Sequence, residues 1–282
     1  MIVSFHPLFE ADKNITCAGR EPGDDDLSAI QAARAVILPQ GCSQSLYEMA
    51  AAHCEHVFPN YDARFNYPGK IGQIELFRET ATAHPRTEIY QQLSDFRQQY
   101  GDRPKEIAFE LPCVFKFDWG GEGETVYLID SLDSLEQILQ KAADFEKSGQ
   151  NGFLLQEFVP TEGRTLRVVI IGQALVSYWR IQEKSDGFVS SVAGGARIST
   201  TYQPELQKDA KTKIGDFCQK TGINLAGFDV IYSADAKNSL PLLLEINYFF
   251  GRKGLGGSDA YYKLLTREIH NWLSLTLSEQ AG

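Results

Sequence analysis

Short apolar runs alternate with stretches of helical spacing through the first part of the chain. IVSF (Ile2–Phe5), AVILPQ (Ala35–Gln40) and EHVFP (Glu55–Pro59) have the length and composition of buried strands. SQSLYEMAAAHC between the last two has a helical pattern, and GREPGDDDLS (Gly19–Ser28) is a loop whose acids suit the start of a helix. Strands alternating with helices predict a parallel sheet with helices on its faces. A break rich in turn formers follows at NYDARFNYPGKIG (Asn60–Gly72), then a helix over GQIELFRETATA and a polar helix around Glu88–Tyr100. CVFKF and TVYLI flank a glycine-rich turn and predict a hairpin. SLDSLEQILQKAADFEKSG predicts a helix capped by Ser131 or Ser134 and ended by Gly149. The remainder reads as strands GFLLQEFV, TLRVVIIGQALVSYWRI, LAGFDVIYS and PLLLEINYF, with helices around Pro204–Thr221 and Ala260–Leu277. No repeat or low-complexity tract interrupts this order.

Several polar residues break the apolar strands. Glu245 and Asn247 stand two apart near the end of PLLLEINYF, so they share a face about 6.6 Å apart. Asp229 interrupts LAGFDVIYS in the same way, and two carboxylates with an amide oxygen are hard ligands suited to Mg²⁺. Lys116 lies inside CVFKF and is followed by Gly120, Gly121 and Gly123, where backbone N–H groups could approach a phosphate. Neither a GxxxxGK[ST] loop nor a GxGxxG opening a helix is present. Gln156, Glu157, Phe158 and Val159 end a strand before Pro160, a connector whose main chain could meet an adenine edge; Glu162 lies just beyond, where a ribose could sit. Trp119 and Trp179 either stack on a base or pack, with packing favoured. Phe249 and Phe250 are expected to line a cleft or core. HCEH (His53–His56) has soft ligands but no distant fourth partner, so an ordinary helix end is the expectation.

The whole-chain balance narrows the function. The net charge is -10 and the pI about 5.1 across 282 residues, which argues against nucleic-acid binding by charge. No apolar run reaches the length of a membrane span, and MIVSFHPLFEADKN lacks signal-peptide character. Five scattered cysteines without a CxxC pair fit reduced thiols, so a cytoplasmic location is expected.

In their order the motifs resemble the ATP-grasp family, most of all the branch containing the S6-modification enzyme and glutathione synthetase. They run GK, K-x-x-x-G-G-x-G, QEFV, an arginine-bearing strand, GFD, and EIN before a glycine-rich turn, covering roughly Pro68 to the C-terminus. The resemblance implies an α/β (α+β ATP-grasp) fold. A small N-terminal parallel αβ domain would occupy 1–68, a small lobe with a glycine-rich flap 69–155, and a large lobe with the metal site 156–282. It also implies roles: Lys70 and Lys116 on ATP phosphates, Gly120 to Glu124 as the flap, and Glu157 and Val159 as the adenine hinge. Arg167 and Arg180 would face the phosphates or the acyl phosphate, and Asp229, Glu245 and Asn247 would be magnesium ligands. Arg252 and Lys253 would lie where the acid substrate enters. The cofactors implied are ATP and Mg²⁺, as two ions for which Mn²⁺ could substitute. The partners implied are a small-molecule or peptide carboxylate and an amine or thiol acceptor, with no nucleic acid or membrane; a homo-oligomer is compatible. The activity implied is a carboxylate ligase working through an acyl phosphate, and the alternative is a small-molecule kinase or a nucleotide-binding module with little catalysis. Two positions depart from the branch: Thr165 replaces an acid two residues before the arginine, and Ser190 stands where Asn is frequent. Gly194 and Gly195 keep the expected pair, and Ser190, Ser191 and Arg197 are candidate substrate contacts.

Overall fold

The computed structural model describes residues 1–102, 104–121, 123–182, 196–234 and 240–278. The first unit runs β1 (Ile2–Ser4), β2 (Lys13–Asn14), α1 (Asp24–Gln31), β3 (Ala35–Ile37), α2 (Gln44–His53) and β4 (Val57–Phe58). Its four strands pair in parallel in the order β2-β1-β3-β4, as the alternating pattern predicts. Ser43 caps α2 by accepting from the Leu46 N–H at 3.3 Å. In HCEH the Cys54 thiol is buried and donates to the carbonyls of Ala33 and His56 at 3.7 and 3.5 Å.

Next come α3 (Asp62–Asn66), α4 (Gly69–Glu79), β5 (Thr87–Tyr90), α5 (Leu93–Tyr100), β6 (Cys113–Phe117), β7 (Val126–Ile129), α6 (Leu132–Lys147) and β8 (Phe153–Glu157). The four strands form an antiparallel sheet, β5-β8-β6-β7. Two expectations change here. The stretch Asn60–Gly72 is not simply a break, because it holds α3 and the start of α4. Pro68 offers α4 no side-chain cap; instead Asp118, beyond β6, accepts from the Ile71 N–H at 2.7 Å. That partner is 47 residues away, so no local pattern announces it. The polar stretch Glu88–Tyr100 is not one helix either. Its first residues pair with β8, and Glu88 turns to accept from the hydroxyls of Tyr90 and Tyr100 at 2.5 and 2.9 Å.

The last unit holds β9 (Arg164–Ile171), β10 (Ala174–Ile181), β11 (Arg197–Ser199), α7 (Pro204–Thr221), β12 (Leu225–Ile231), β13 (Leu242–Asn247), a 3₁₀ turn (Lys253–Leu255) and α8 (Ser258–Ser278). Its antiparallel sheet has the order β11-β10-β9-β12-β13. One core packs α7 and α4 against this sheet around Phe77, Phe217 and Phe228, and a second fills the smaller antiparallel sheet around Phe96, Phe115 and Phe153. Trp119 and Trp179 both pack. Trp179 is buried between Tyr202 and Tyr232, and Trp119 lies on Phe117 and Phe145. Among the described residues, no helix is long and apolar enough to cross a membrane.

Candidate active site

Three neighbouring strands bring the charged residues of the large sheet together. Across the β9–β12 ladder Asp229 faces Arg167, and across β12–β13 it faces Glu245. The register slips after Asp229, so that Val230 pairs with Leu243 and Leu244 is the extra residue of a bulge. A bulge re-aims side chains, and both Leu244 and Glu245 consequently line the same cleft. Asn247 lines it too, in agreement with the two-residue spacing.

Asp229 is 7% exposed and fully engaged. Arg167 donates to it twice, Nε to Oδ1 at 2.6 Å and Nη2 to Oδ2 at 3.1 Å. Arg180 Nη2 donates to the same Oδ1, and Asn247 Nδ2 to Oδ2 at 3.3 Å. Burial would raise this carboxyl, but the two guanidinium groups outweigh it and hold it below the ordinary aspartate value. Glu245 goes the other way. Burial, and then the charge of Asp229, raise it against the opposing pull of Lys116, Lys70 and Arg167.

The smaller sheet supplies the facing cations. Lys116 donates from Nζ to Gln156 Oε1 at 2.7 Å, and Gln156 Nε2 donates to Thr87 Oγ1 at 2.9 Å. Gln156 is 2% exposed, so its side chain orients a buried ammonium. Burial pushes Lys116 down to about 8, partly offset by Glu245. Lys70 is also lowered by burial; its Nζ donates to the carbonyls of Trp119 and Gly120, each at 3.0 Å. Thr125 Oγ1 donates to the same Trp119 carbonyl at 2.6 Å. Gly120 has φ +84°, and a Cβ there would meet Thr125 Cγ2 at 2.4 Å, so this turn requires glycine.

A cleft of about 530 Å³ lies between the two antiparallel sheets. Lys70, Lys116, Gly121, Gly123, Gln156, Glu157, Val159, Arg167, Arg180, Asp229, Glu245, Asn247, Arg252 and Lys253 all line it. Gly120 and Glu162 do not. Gly120 contributes its carbonyl to Lys70, whereas Glu162 turns its exposed carboxylate to Arg164. The Glu157 N–H is used on the Arg86 carbonyl at 2.9 Å, and its carboxylate accepts from the Arg86 N–H at 2.7 Å. Thr165 lines the cleft across from Arg180. Arg197 is exposed in the edge strand β11, and Glu122, Ser190, Ser191, Gly194 and Gly195 lie outside the described residues. Sequence reasoning passed over Tyr178, Thr125 and Leu244. Tyr178 was findable, because it stands two residues before Arg180 on one strand face. Leu244 was not, because the bulge that turns it depends on pairing with β12.

The donor set suits a nucleotide with a hard cation. Six cationic side chains, Lys70, Lys116, Arg167, Arg180, Arg252 and Lys253, share the cleft with three carboxylates, Glu157, Asp229 and Glu245. That local excess in an acidic chain matches a polyanion. Among the described residues, Arg180 Nε is buried without a hydrogen-bond partner, an unused donor on a residue of the cleft wall. Asp229, Glu245 and Asn247 present carboxylate and amide oxygens to the same cleft, the chemistry Mg²⁺ prefers.

Two antiparallel sheets closing on a cationic cleft, with a lysine-bearing glycine hairpin on one side and an Asp/Glu/Asn set on the other, define an ATP-grasp fold. The model of the RimK-like ATP-grasp domain matches residues 70–265, and the chain belongs to that family. Solved structures agree on the fold. A RimK domain ATP-grasp protein from Sphaerobacter thermophilus DSM 20745 is 13% identical with a TM-score of 0.61, the match covering 95% of this chain and 98% of that one. D-alanine–D-alanine ligase from Bacillus anthracis is 11% identical at TM-score 0.58, over 96% and 88% of the two chains. The ATP-grasp ligase PsnB, solved with a minimal precursor, is 16% identical at TM-score 0.55, over 84% and 79%. No curated protein matches the chain by sequence.

Proposed function

We propose that the protein is an ATP- and Mg²⁺-dependent ligase joining a carboxylic acid to an amine or thiol through an acyl phosphate. The observation that carries this reading is the buried cluster in which Lys116, Arg167 and Arg180 converge on Asp229 and Glu245 inside one cleft. Its cations exceed what its carboxylates neutralise, so it favours a polyphosphate.

The residues divide the work by position. Lys116, oriented by Gln156, and Lys70 bind phosphate oxygens. The apolar wall of Val159, Ile231 and Leu244 receives the base. Arg167 and Arg180 neutralise the transferring phosphoryl group, where positioning and charge account for most of the catalysis. A substrate carboxylate oxygen bonds to the γ-phosphorus as the bond to ADP breaks. The amine or thiol then attacks the acyl carbon, phosphate leaves, and the nucleophile's proton passes to solvent. Asp229, Glu245 and Asn247 would hold Mg²⁺, which supplies further charge neutralisation at the phosphates. The glycine hairpin would exclude water from the acyl phosphate. The division at 1–68, 69–155 and 156–282 goes with this reading, and each part contributes a sheet, although β8 crosses the second boundary. The five cysteines, all buried and free, support a reducing cytoplasm.

Phosphate release from ATP across a panel of acids paired with amines and thiols, with products read by mass spectrometry, tests the proposal. A condensed product with free phosphate is expected. A product that keeps the phosphoryl group would identify a kinase instead, and no MgATP binding at all would overturn both.

A further inference from the structure

Phe249 is the most exposed aromatic ring of the cleft wall. It is 63% exposed, whereas its neighbour Phe250 is 8% exposed. A lone exposed apolar residue on a protein surface carries no meaning by itself. This ring differs because the N-terminal unit is shaped to hold it. A Cβ at Gly41 would lie 2.1 Å from the ring's Cε1 and Cζ, so this loop reaches the ring only because it has no side chain there. The Arg64 guanidinium lies 5.3 Å from the ring centroid while also covering Tyr61 and Phe65, and it donates to the Cys42 carbonyl at 3.2 Å. Gln40 locks the same loop to the cleft. Its Nε2 donates to the Tyr248 carbonyl at 3.0 Å, and its Oε1 accepts from the Tyr261 hydroxyl at 3.1 Å. The loop after β3 therefore supports Phe249 yet leaves most of its surface open.

Beyond the ring the chain turns into the cationic segment. Arg252 is stacked over Tyr261 and Tyr262 at 4.9 and 4.6 Å, and Lys253 follows it into the cleft wall. A held, solvent-facing aromatic surface on the same cleft wall as the stacked Arg252 and as Lys253 is a complement to an acid that carries an aromatic ring. We propose that Phe249 is a specificity-determining residue and that the acid substrate is an aromatic carboxylic acid, its ring laid on Phe249 and its carboxylate facing the Arg252–Lys253 turn. This rests on the ligase reading for the existence of an acid site and names its chemical class.

The test titrates phenylacetate, cyclohexylacetate and acetate into the full-length protein with Mg²⁺ and a non-hydrolysable ATP analogue, read by calorimetry. Phenylacetate should bind at least about tenfold more tightly than either of the others. Phe249→Ala should bring the three within about twofold of one another while the affinity for the ATP analogue stays within the same factor. Gly41→Ala should weaken phenylacetate selectively by displacing the ring, which provides a second variant if Phe249→Ala folds poorly. Equal affinities in the parent, cyclohexylacetate matching phenylacetate, or a preference that survives both substitutions overturns the platform. Binding of the ATP analogue separates the two ideas: normal binding without acid preference overturns only the platform, and absent binding overturns the ligase reading with it.

Discussion

Arg167 holds Asp229 in a two-point ion pair, Nε to Oδ1 at 2.6 Å and Nη2 to Oδ2 at 3.1 Å, across the centre of the large sheet. Breaking a buried pair from one side leaves an uncompensated charge and typically costs about 3–5 kcal/mol. The pair also occupies the carboxylate proposed for Mg²⁺. Asp229→Asn should lower the melting temperature of the free protein and abolish the extra stabilisation that Mg²⁺ adds to ATP. Thermal melts with ATP alone, Mg²⁺ alone and both would show this. An undiminished Mg²⁺ increment in the variant would count against a metal at Asp229.

Glu245→Gln preserves shape and removes one anionic oxygen from the cleft. The fold should survive, since an amide can still hydrogen-bond. Nucleotide binding should persist in part, and turnover should fall by at least about a hundredfold, the scale on which loss of an electrostatic contact to the transferring group is felt. Glu136→Gln on the exposed face of α6 is the control and should change little. Parental turnover in Glu245→Gln would remove this carboxylate from the mechanism.

Gln156 came out of the sequence as part of a hinge, but the structure makes its side chain the partner of Lys116. Gln156→Leu would leave a buried ammonium without its acceptor, a loss of about 1–3 kcal/mol. Stability should drop by that amount in denaturant melts, and ATP affinity should fall about tenfold, because the ammonium is no longer aimed. Intact ATP affinity would show that Lys116 finds its place unaided.

Gly120→Ala should disturb the flap stem and, through Thr125 and Lys70, the cleft wall beside it. The left-handed backbone and the 2.4 Å approach to Thr125 together force Thr125 away from the Trp119 carbonyl and from Lys70. Limited proteolysis of the Gly120–Glu124 segment is the readout. MgATP should protect the parent, and the variant should be cut faster and protected less; equal rates in all four conditions would dismiss the flap.

His6 predicts a pH effect on stability. Burial, reinforced by the nearby Arg252 charge, lowers it from 6.5 to about 4. Between these values the unfolded chain binds the proton and the folded chain does not, so stability rises with pH across that window and falls as pH drops through it. His6→Gln removes this contribution, so the stability lead of the parent over the variant should shrink between pH 6.5 and 4. Melting curves that run parallel over the window would show that His6 titrates normally.

The periodic elements were legible because their signals are local. α7 begins at Pro204 and ends at Thr221 as its pattern indicates, and the Lys116 hairpin closes around its glycines. The start of α4 and the strand β5 are not legible for one reason: the residues that decide them, Asp118 and the β8 strand, lie far away in the chain.

The chain by itself determined that Glu245 and Asn247 share a face, that Lys116 and Asp229 are charges inside apolar strands, and that the ordered motifs belong to an ATP-grasp domain. These follow from side-chain parity along a strand and from short motifs, neither of which needs a partner segment. Only the tertiary structure decided that Asp229 faces both Arg167 and Glu245, that a bulge turns Leu244 into the cleft beside Glu245, and that Gln156 orients Lys116. It alone joined Gly41 to Phe249 from opposite ends of the chain. Register, bulges and buried hydrogen bonds arise from pairing between distant segments, and the alternation within any one strand is the same whichever neighbour it meets.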